Sequence, residues 1–255
     1  MKAGDLPRVE IPVGYRSFLG VEGTSTDTRL DGPLYAVNLL DRRRPWAYEL
    51  YGLLAYRPLR RAGGRVLFKG HRTRVLAGGE HQSRETLLLV RYPEVTAFLV
   101  MVRRPYFAAL SLLRKLGLGE FLFGFAERLG PGPGWGPEPP PVPRPYRGER
   151  DYLLYTFRAN RDRAREGLER LGEAVDGSGV ELFFAGLTAG TVAVRRAGAA
   201  SPQPTKLAPP LPWDAVLLLS AGDETVLERV VAGAEIAALR ALAGTSAAAF
   251  YRREL

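Results

Sequence analysis

LLLVRYPEVTAFLVMVRRPYFAALSLLRKLG, residues 87–117, begins as an apolar strand and passes almost directly into a helical pattern. A short apolar run bounded by turn residues suits a buried strand, and the longer amphipathic stretch behind it suits a helix. Pro105 interrupts that helix, which starts near Glu94, so a second short helical piece is predicted from Tyr106 to Leu116. The chain then says nearly the same thing again: LLLSAGDETVLERVVAGAEIAALRALAG occupies residues 217–244. FAAL (107–110) answers IAAL (236–239), and GGRVLFKG (63–70) answers GSGVELFFAG (177–186). The second version keeps the apolar positions and drops Arg91-Tyr92-Pro93 and Pro105-Tyr106. Packing needs what both copies share; it does not need what only the first carries.

Around each copy the same order of elements unfolds. In the first half, LYAVNLL (34–40) is a strand and Pro45 opens a helix that runs to about Arg61. Trp46, Leu50, Leu53 and Leu54 form its expected inward stripe, Pro58 is expected to kink or split it, and Gly63-Gly64 stops it. RVLFKGHRTRVLA (65–77), TLLLVRYP (86–93) and GEFLFGFAERL (119–129) are further strands. In the second half, DYLLYTFRA (151–159) is a strand and Asn160 caps a helix with Ala164, Leu168, Leu171 and Val175 on one face. VELFFAGLTAGTVAVRR (180–196) is a strand, a Pro-rich loop (197–212) follows, and WDAVLLLS leads to a helix capped by Asp223. AAAFYRREL closes the unit.

Each half therefore reads β-α-β-β-α-β, the ferredoxin-like split unit. Such a sheet has one face covered by helices and one face bare, and two bare faces from one chain complete each other. The expected fold is α+β: tandem ferredoxin-like repeats forming an intramolecular dimeric α+β barrel. The expected organisation is an N-terminal extension (1–32), a first repeat (33–129), a linker (130–149) and a second repeat (150–255). GPGPGWGPEPPPVPRP (130–145) marks the linker, since it can hold neither a helix nor an inner strand.

Composition narrows the function classes. The chain has 255 residues and no Cys, which excludes disulfides, thiolate metal sites and cysteine nucleophiles. No apolar run is long enough to span a membrane, and the first residues lack a signal-peptide pattern, so a cytoplasmic location without a membrane partner is expected. The net charge of +9 lies entirely in residues 1–130, and only four of the 36 basic residues are Lys. Arginine suits carboxylates and phosphates, which points to an anionic ligand for the first half. The arginines are scattered without a recognition motif, so nucleic acid is not the expected partner.

The first half also carries an ordered series of small motifs. Asn38-Leu39-Leu40 closes the first strand, and Ala47-Tyr48-x-x-Tyr51-Gly52 follows on the helix. Pro58, Gly63-Gly64-Arg65, Arg91-Tyr92-Pro93, Ala97-Phe98, Met101 and Pro105-Tyr106 come in order after them. That succession, across residues 33–128, resembles the DUF1330 family of the dimeric α+β barrel superfamily. The chain departs from the family at Glu94, where a small polar residue is usual, and at Pro105-Tyr106, where the family has Pro-Glu-Tyr. The resemblance implies a pocket between sheet and helices. Relatives in the superfamily include cofactor-free monooxygenases, muconolactone isomerases and haem enzymes built from a doubled unit.

Candidate site residues follow from residue type. His71 alternates with Lys69 and Thr73 on one strand face and is a candidate general acid or base near neutral pH. Tyr51 is the second candidate for proton transfer, and Tyr48, three residues earlier, shares its helix face. Asn38 is an amide in an otherwise apolar strand and could hold a carbonyl or enolate oxygen. Arg74 and Arg91, near strand ends, are candidate anion clamps, and Tyr106 is placed to reach over a pocket mouth. His81 sits in a turn and is expected to be solvated. There is no HExxH, Walker loop or dinucleotide fingerprint, so no metal or cofactor is expected. The function that fits is a metal-free small-molecule enzyme, monooxygenase- or isomerase-like, or a binding protein for an anionic or oxygenated ligand. The alternatives are a non-catalytic scaffold and, further off, a haem-binding doubled barrel; a homo-oligomer is left open.

Overall fold

The computed structural model describes residues 9–16, 22–26, 33–78, 83–102, 104–130, 150–190, 193–194, 213–243 and 245–254. His81, the linker after Gly130, the Pro-rich loop 197–212 and most of the N-terminal extension lie outside the described residues. Within that extension β1 (Val9–Arg16) pairs antiparallel with β2 (Glu22–Thr26).

The first repeat consists of β3 (Leu34–Arg42), α1 (Pro45–Arg61), β4 (Arg65–Ala77), β5 (Thr86–Tyr92), α2 (Val95–Val102), α3 (Pro105–Gly117) and β6 (Leu118–Arg128). The second consists of β7 (Asp151–Arg158), α4 (Arg161–Val175), β8 (Glu181–Gly190), β10 (Ala215–Ala221), α5 (Glu224–Ala232), α6 (Ala234–Leu242) and β11 (Thr245–Arg253). Between β8 and β10, the two-residue β9 (Ala193–Val194) pairs with β2. The eight remaining strands close into a barrel in the order β10-β7-β11-β4-β5-β3-β6-β8. Within each repeat the strands lie fourth, first, third, second, as the split unit requires. The doubled ferredoxin-like architecture is thus observed.

Both copies break their second helix at the same place. In the first, Arg104 takes an extended conformation (ψ 134°) because the ring of Pro105 disfavours a helical residue before it. In the second, Gly233 (ψ 165°) separates α5 from α6. The caps of the second repeat are those read from the sequence: Asn160 accepts from the Asp162 N–H at 2.9 Å, and Asp223 from the Thr225 N–H at 2.8 Å.

By its internal contacts the chain divides into two compact units: Met1–Arg65, Val90–Phe125 and Ala189–Leu211; and Val66–Leu89, Ala126–Thr188 and Pro212–Leu255. The sequence halves and the compact units do not coincide, because β4 of the first repeat pairs with β11 of the second, with Gly70 opposite Arg253 and His71 opposite Arg252. Gly70 is needed at that seam. A Cβ there would stand 2.7 Å from both the Arg252 carbonyl and the Phe68 ring. The Arg253 guanidinium fastens the seam by donating to the Leu67 carbonyl (2.8 Å) and the Tyr152 hydroxyl (3.3 Å), and it lies over the Phe183 ring. Under α4–α6, Leu153, Tyr155 and Phe157 of β7 and Leu217 and Leu219 of β10 pack against Leu168, Leu171, Leu227, Ile236 and Leu239.

Two expectations about α1 are corrected. Of the expected stripe, Trp46, Leu50 and Leu53 face outward, with exposures of 59%, 39% and 73%, and Leu54 is half-buried, while Ala47, Tyr48, Tyr51 and Leu59 are buried. Periodicity allows either stripe inward; contact with α3 chooses. Gly117 lies so close to Tyr48 that an added Cβ would stand 2.6 Å from the Tyr48 nitrogen, and the Arg44 N–H donates to the Gly117 carbonyl at 3.0 Å. Of the kink or split expected at Pro58, the split does not occur: the helix runs unbroken from Pro45 to Arg61. A proline at 58 removes the N–H that would bond the Leu54 carbonyl four residues back. The Tyr106 hydroxyl donates to that carbonyl instead, at 3.3 Å.

Tyr106→Phe is expected to cost about 0.5–1.5 kcal/mol, the net worth of a typical hydrogen bond. In a Pro58→Ala background the cost should shrink towards zero, because the restored N–H reaches Leu54. Urea unfolding of the four members of this cycle measures the coupling, and additive costs would refute the substitution of one donor for the other.

Candidate functional site

On α3 the buried positions are Phe107, Leu110, Ser111, Arg114 and Gly117, a single helical stripe. Arg114 occupies a place on it where an apolar residue is expected, and it is only 4% exposed. Its guanidinium lies 5.5 Å from the centre of the Phe121 ring, in cation–π geometry. Opposite α3, the buried face of α1 presents Tyr48 and Tyr51 with ring centres 5.8 Å apart, and Tyr51 meets Phe107 edge-on at 6.4 Å. From β5 comes Tyr92, whose ring packs against Phe98 at 5.2 Å.

These groups act on one another electrically. Burial pushes the Tyr48 phenol well above its ordinary range, opposed by the Arg114 and Arg42 guanidiniums. Burial also raises Tyr51; Arg114 opposes the rise, and Tyr48 and Tyr92 reinforce it. Tyr92 is raised by burial alone. Desolvation lowers Arg114, and the phenols of Tyr51 and Tyr48 act against that lowering. At neutral pH the cluster is therefore one cation beside three neutral phenols. Such a set offers charge and O–H donors to a carboxylate, enolate or phenolate oxygen in a medium that strengthens both.

The second repeat shows what the fold needs at these positions. With the N-caps Arg44 and Asn160 superposed, Tyr48 and Tyr51 correspond to Ala164 and Gly167. With FAAL on IAAL, Arg114 corresponds to Ala243; with the two LLL runs superposed, Tyr92 corresponds to Gly222. All four members of the cluster are replaced by small residues. Nothing in the duplicated fold demands a guanidinium or a phenol there.

Of the residues singled out in the sequence, Tyr48 and Tyr51 join this cluster. Asn38 is buried in β3, where its amide donates to the Ala36 carbonyl at 3.2 Å. Arg91 is half-buried beside Tyr92 and, by strand alternation, on the opposite face. Tyr106 is half-exposed and engaged by Leu54. Arg74 and His71 lie in the other compact unit. Arg74 donates to both Glu224 and Glu228 of α5, and these hydrogen bonds, Glu228 first, raise its pKa further. His71 and Lys69 do share a face, and both reach Glu254, at 3.3 and 3.0 Å. Arg114 was missed in the sequence reading. Its signal was its spacing, seven residues after Phe107 on the apolar stripe. Among the described residues no group of three His, Cys, Asp or Glu side chains could hold a metal ion.

Two outcomes test this arrangement. Gly117→Ala should destabilise the protein by about 1–3 kcal/mol, since the new methyl meets backbone and not a movable side chain. The raised phenols give the second. Their protons are held more tightly folded than unfolded, so stability is full below the ordinary value of 10.0 and falls as pH rises above it. Tyrosinate absorbance should rise in two steps, with Tyr48, Tyr51 and Tyr92 ionising only as the fold is lost. A single step near pH 10 in the folded protein would contradict their burial.

No protein-family model matches the chain, and no curated protein matches it. Solved structures do. A protein described as a candidate monooxygenase from Lactobacillus acidophilus superposes with a TM-score of 0.51 at 7% identity, covering 88% of this chain and 95% of its own. One of the same description from Fusobacterium nucleatum has a TM-score of 0.48 at 8% identity, over 89% of this chain and 94% of its own. A protein of unknown function from Rhodopseudomonas palustris is 24% identical over 39% of this chain and 85% of its own, with a TM-score of 0.37. At 7% identity the likeness to the Lactobacillus protein concerns the fold alone, and it extends over 88% of the chain: the eight strands close into the doubled ferredoxin-like, dimeric α+β barrel fold.

Proposed function

We propose that the chain binds a small anionic or oxygenated molecule in the helix–sheet layer of its first repeat. Arg114 would hold the negative oxygen, and Tyr48, Tyr51 and Tyr92 would donate to it. Where the protein acts on that ligand, Tyr51 is the group that moves a proton, so the reaction class is monooxygenase- or isomerase-like chemistry without a metal. The single observation behind this reading is a buried guanidinium among neutral phenols, present in one copy of a duplicated fold and replaced by small residues in the other. The DUF1330 resemblance points the same way: Tyr48, Tyr51 and Tyr92 belong to the motifs that carry it. His71, Arg74 and Tyr106 have partners within the fold, and the proposal does not use them.

A desolvated charge costs stability, and replacing one by an apolar residue of similar volume is often neutral or stabilising. Arg114→Met therefore separates function from packing. Titration calorimetry against a panel of flat aromatic carboxylates should find binding that Arg114→Met weakens by about ten- to a hundredfold, the worth of a hydrogen bond to a charged group. Thermal stability of the same variant should stay level or rise. Tyr51→Phe should lose less affinity than Arg114→Met and should lose turnover. A panel without a binder, together with a destabilised Arg114→Met, would make the guanidinium a structural element and end the proposal.

A further inference from the structure

The outward face of the first repeat's helices is not used by the buried cluster. Seven large apolar side chains are exposed among the described residues: Trp46, Leu50, Leu53, Tyr56, Val100, Tyr106 and Leu112. All belong to α1, α2 and α3, and none to α4, α5 or α6. The two longer helices run antiparallel: Gly117 at the end of α3 touches Tyr48 near the start of α1, and Tyr106 at the start of α3 reaches Leu54. Trp46, Leu50 and Leu53 lie on one stripe of α1, and Tyr106 of α3 stands beside α1 at Leu54, so these four are grouped instead of scattered singly, which marks an interaction surface.

Charge around that face is predominantly positive. Arg43, Arg44, Arg57, Arg60, Arg61, Arg104 and Lys115 are exposed in or beside the same helices. Against these seven cations, the three helices contain one acidic residue, Glu49, which pairs with Arg42 at 3.9 Å, and two more, Glu94 and Glu120, are exposed beside α2 and α3. By contrast α4 mixes both signs, with Asp162, Glu166, Glu169 and Glu173 among its arginines.

We propose that this face docks on an anionic lipid surface. A partner must accept protruding apolar side chains and a cationic border together. A second copy of the chain does not, because a two-fold contact would set the arginines of one face against those of the other. A partner helix would need a groove, and these side chains stand proud: Leu53 is 73% exposed and Leu112 67%. A bilayer interface meets both demands. Trp and Tyr settle at the headgroup level, Leu enters the acyl boundary, and long Arg side chains reach the phosphates. The contact is peripheral; no described helix is long and apolar enough to cross a membrane.

Co-sedimentation of the full chain with phosphatidylcholine vesicles, with and without phosphatidylserine, tests this directly. Binding should appear with phosphatidylserine and fall steeply as salt is added. Leu53→Glu, and separately the triple variant Arg57→Gln, Arg60→Gln and Arg61→Gln, should each weaken it at least about tenfold. These positions are exposed, so circular dichroism should report an unchanged fold. Absence of phosphatidylserine-dependent binding, or variants that bind like the parent, would overturn the proposal. So would a dimer in analytical ultracentrifugation that Leu53→Glu dissociates, which would give this face to a second copy.

Discussion

The pairing of β4 with β11 is what turns two half-covered sheets into one closed structure. A four-stranded sheet with helices on one side leaves its other side wet and two edges unpaired. Joining the second strand of the first repeat to the last strand of the second removes one pair of edges, and β6 beside β8 removes the other. The seam has residue-level conditions. Gly70 lets the backbones approach, and Arg253 ties Leu67 to Tyr152 across them. It also explains why Lys69, His71 and Arg74, all on β4, find their carboxylates on the second repeat, at Glu254, Glu224 and Glu228. Part of the first half's positive charge is there to meet the second half's acids.

Duplication under this constraint frees one copy. Once the barrel is closed, the helix–sheet layer of the second repeat can be filled mainly with aliphatic and aromatic side chains, Tyr155 among them, and it buries no guanidinium at the position of Arg114. The first repeat instead buries Arg114, Tyr48, Tyr51 and Tyr92, polar groups whose desolvation is unfavourable. The cluster is thus carried by one copy of the fold and is not required by the other.

Much of the architecture was legible in the chain. The β-α-β-β-α-β order, the helix breaks before Pro105 and at Gly233, and the caps Asn160 and Asp223 all follow from local chemistry: proline geometry, side-chain capping and apolar period. Less of the site was legible. Tyr48 and Tyr51 could be paired by helical spacing, yet Arg114 looked like one arginine among many, since its burial depends on α1 lying over α3. Tyr106 carried a hint of function and turned out to replace a hydrogen bond removed by Pro58, 48 residues earlier in the chain.

The amphipathic period of α1 sets the limit of what linear order can say. A helix with Trp46, Leu50 and Leu53 on one side and Ala47, Tyr48 and Tyr51 on the other has two plausible inward faces. Period, propensity and caps are properties of near neighbours, so the chain alone establishes that a helix forms and how often the fold repeats. Which face is buried, and which arginine loses its water, are set by contacts between segments far apart in sequence. Gly117 against Tyr48 is such a contact: a missing methyl group on α3 turns α1, and with it decides which side chains surround Arg114 and which face solvent.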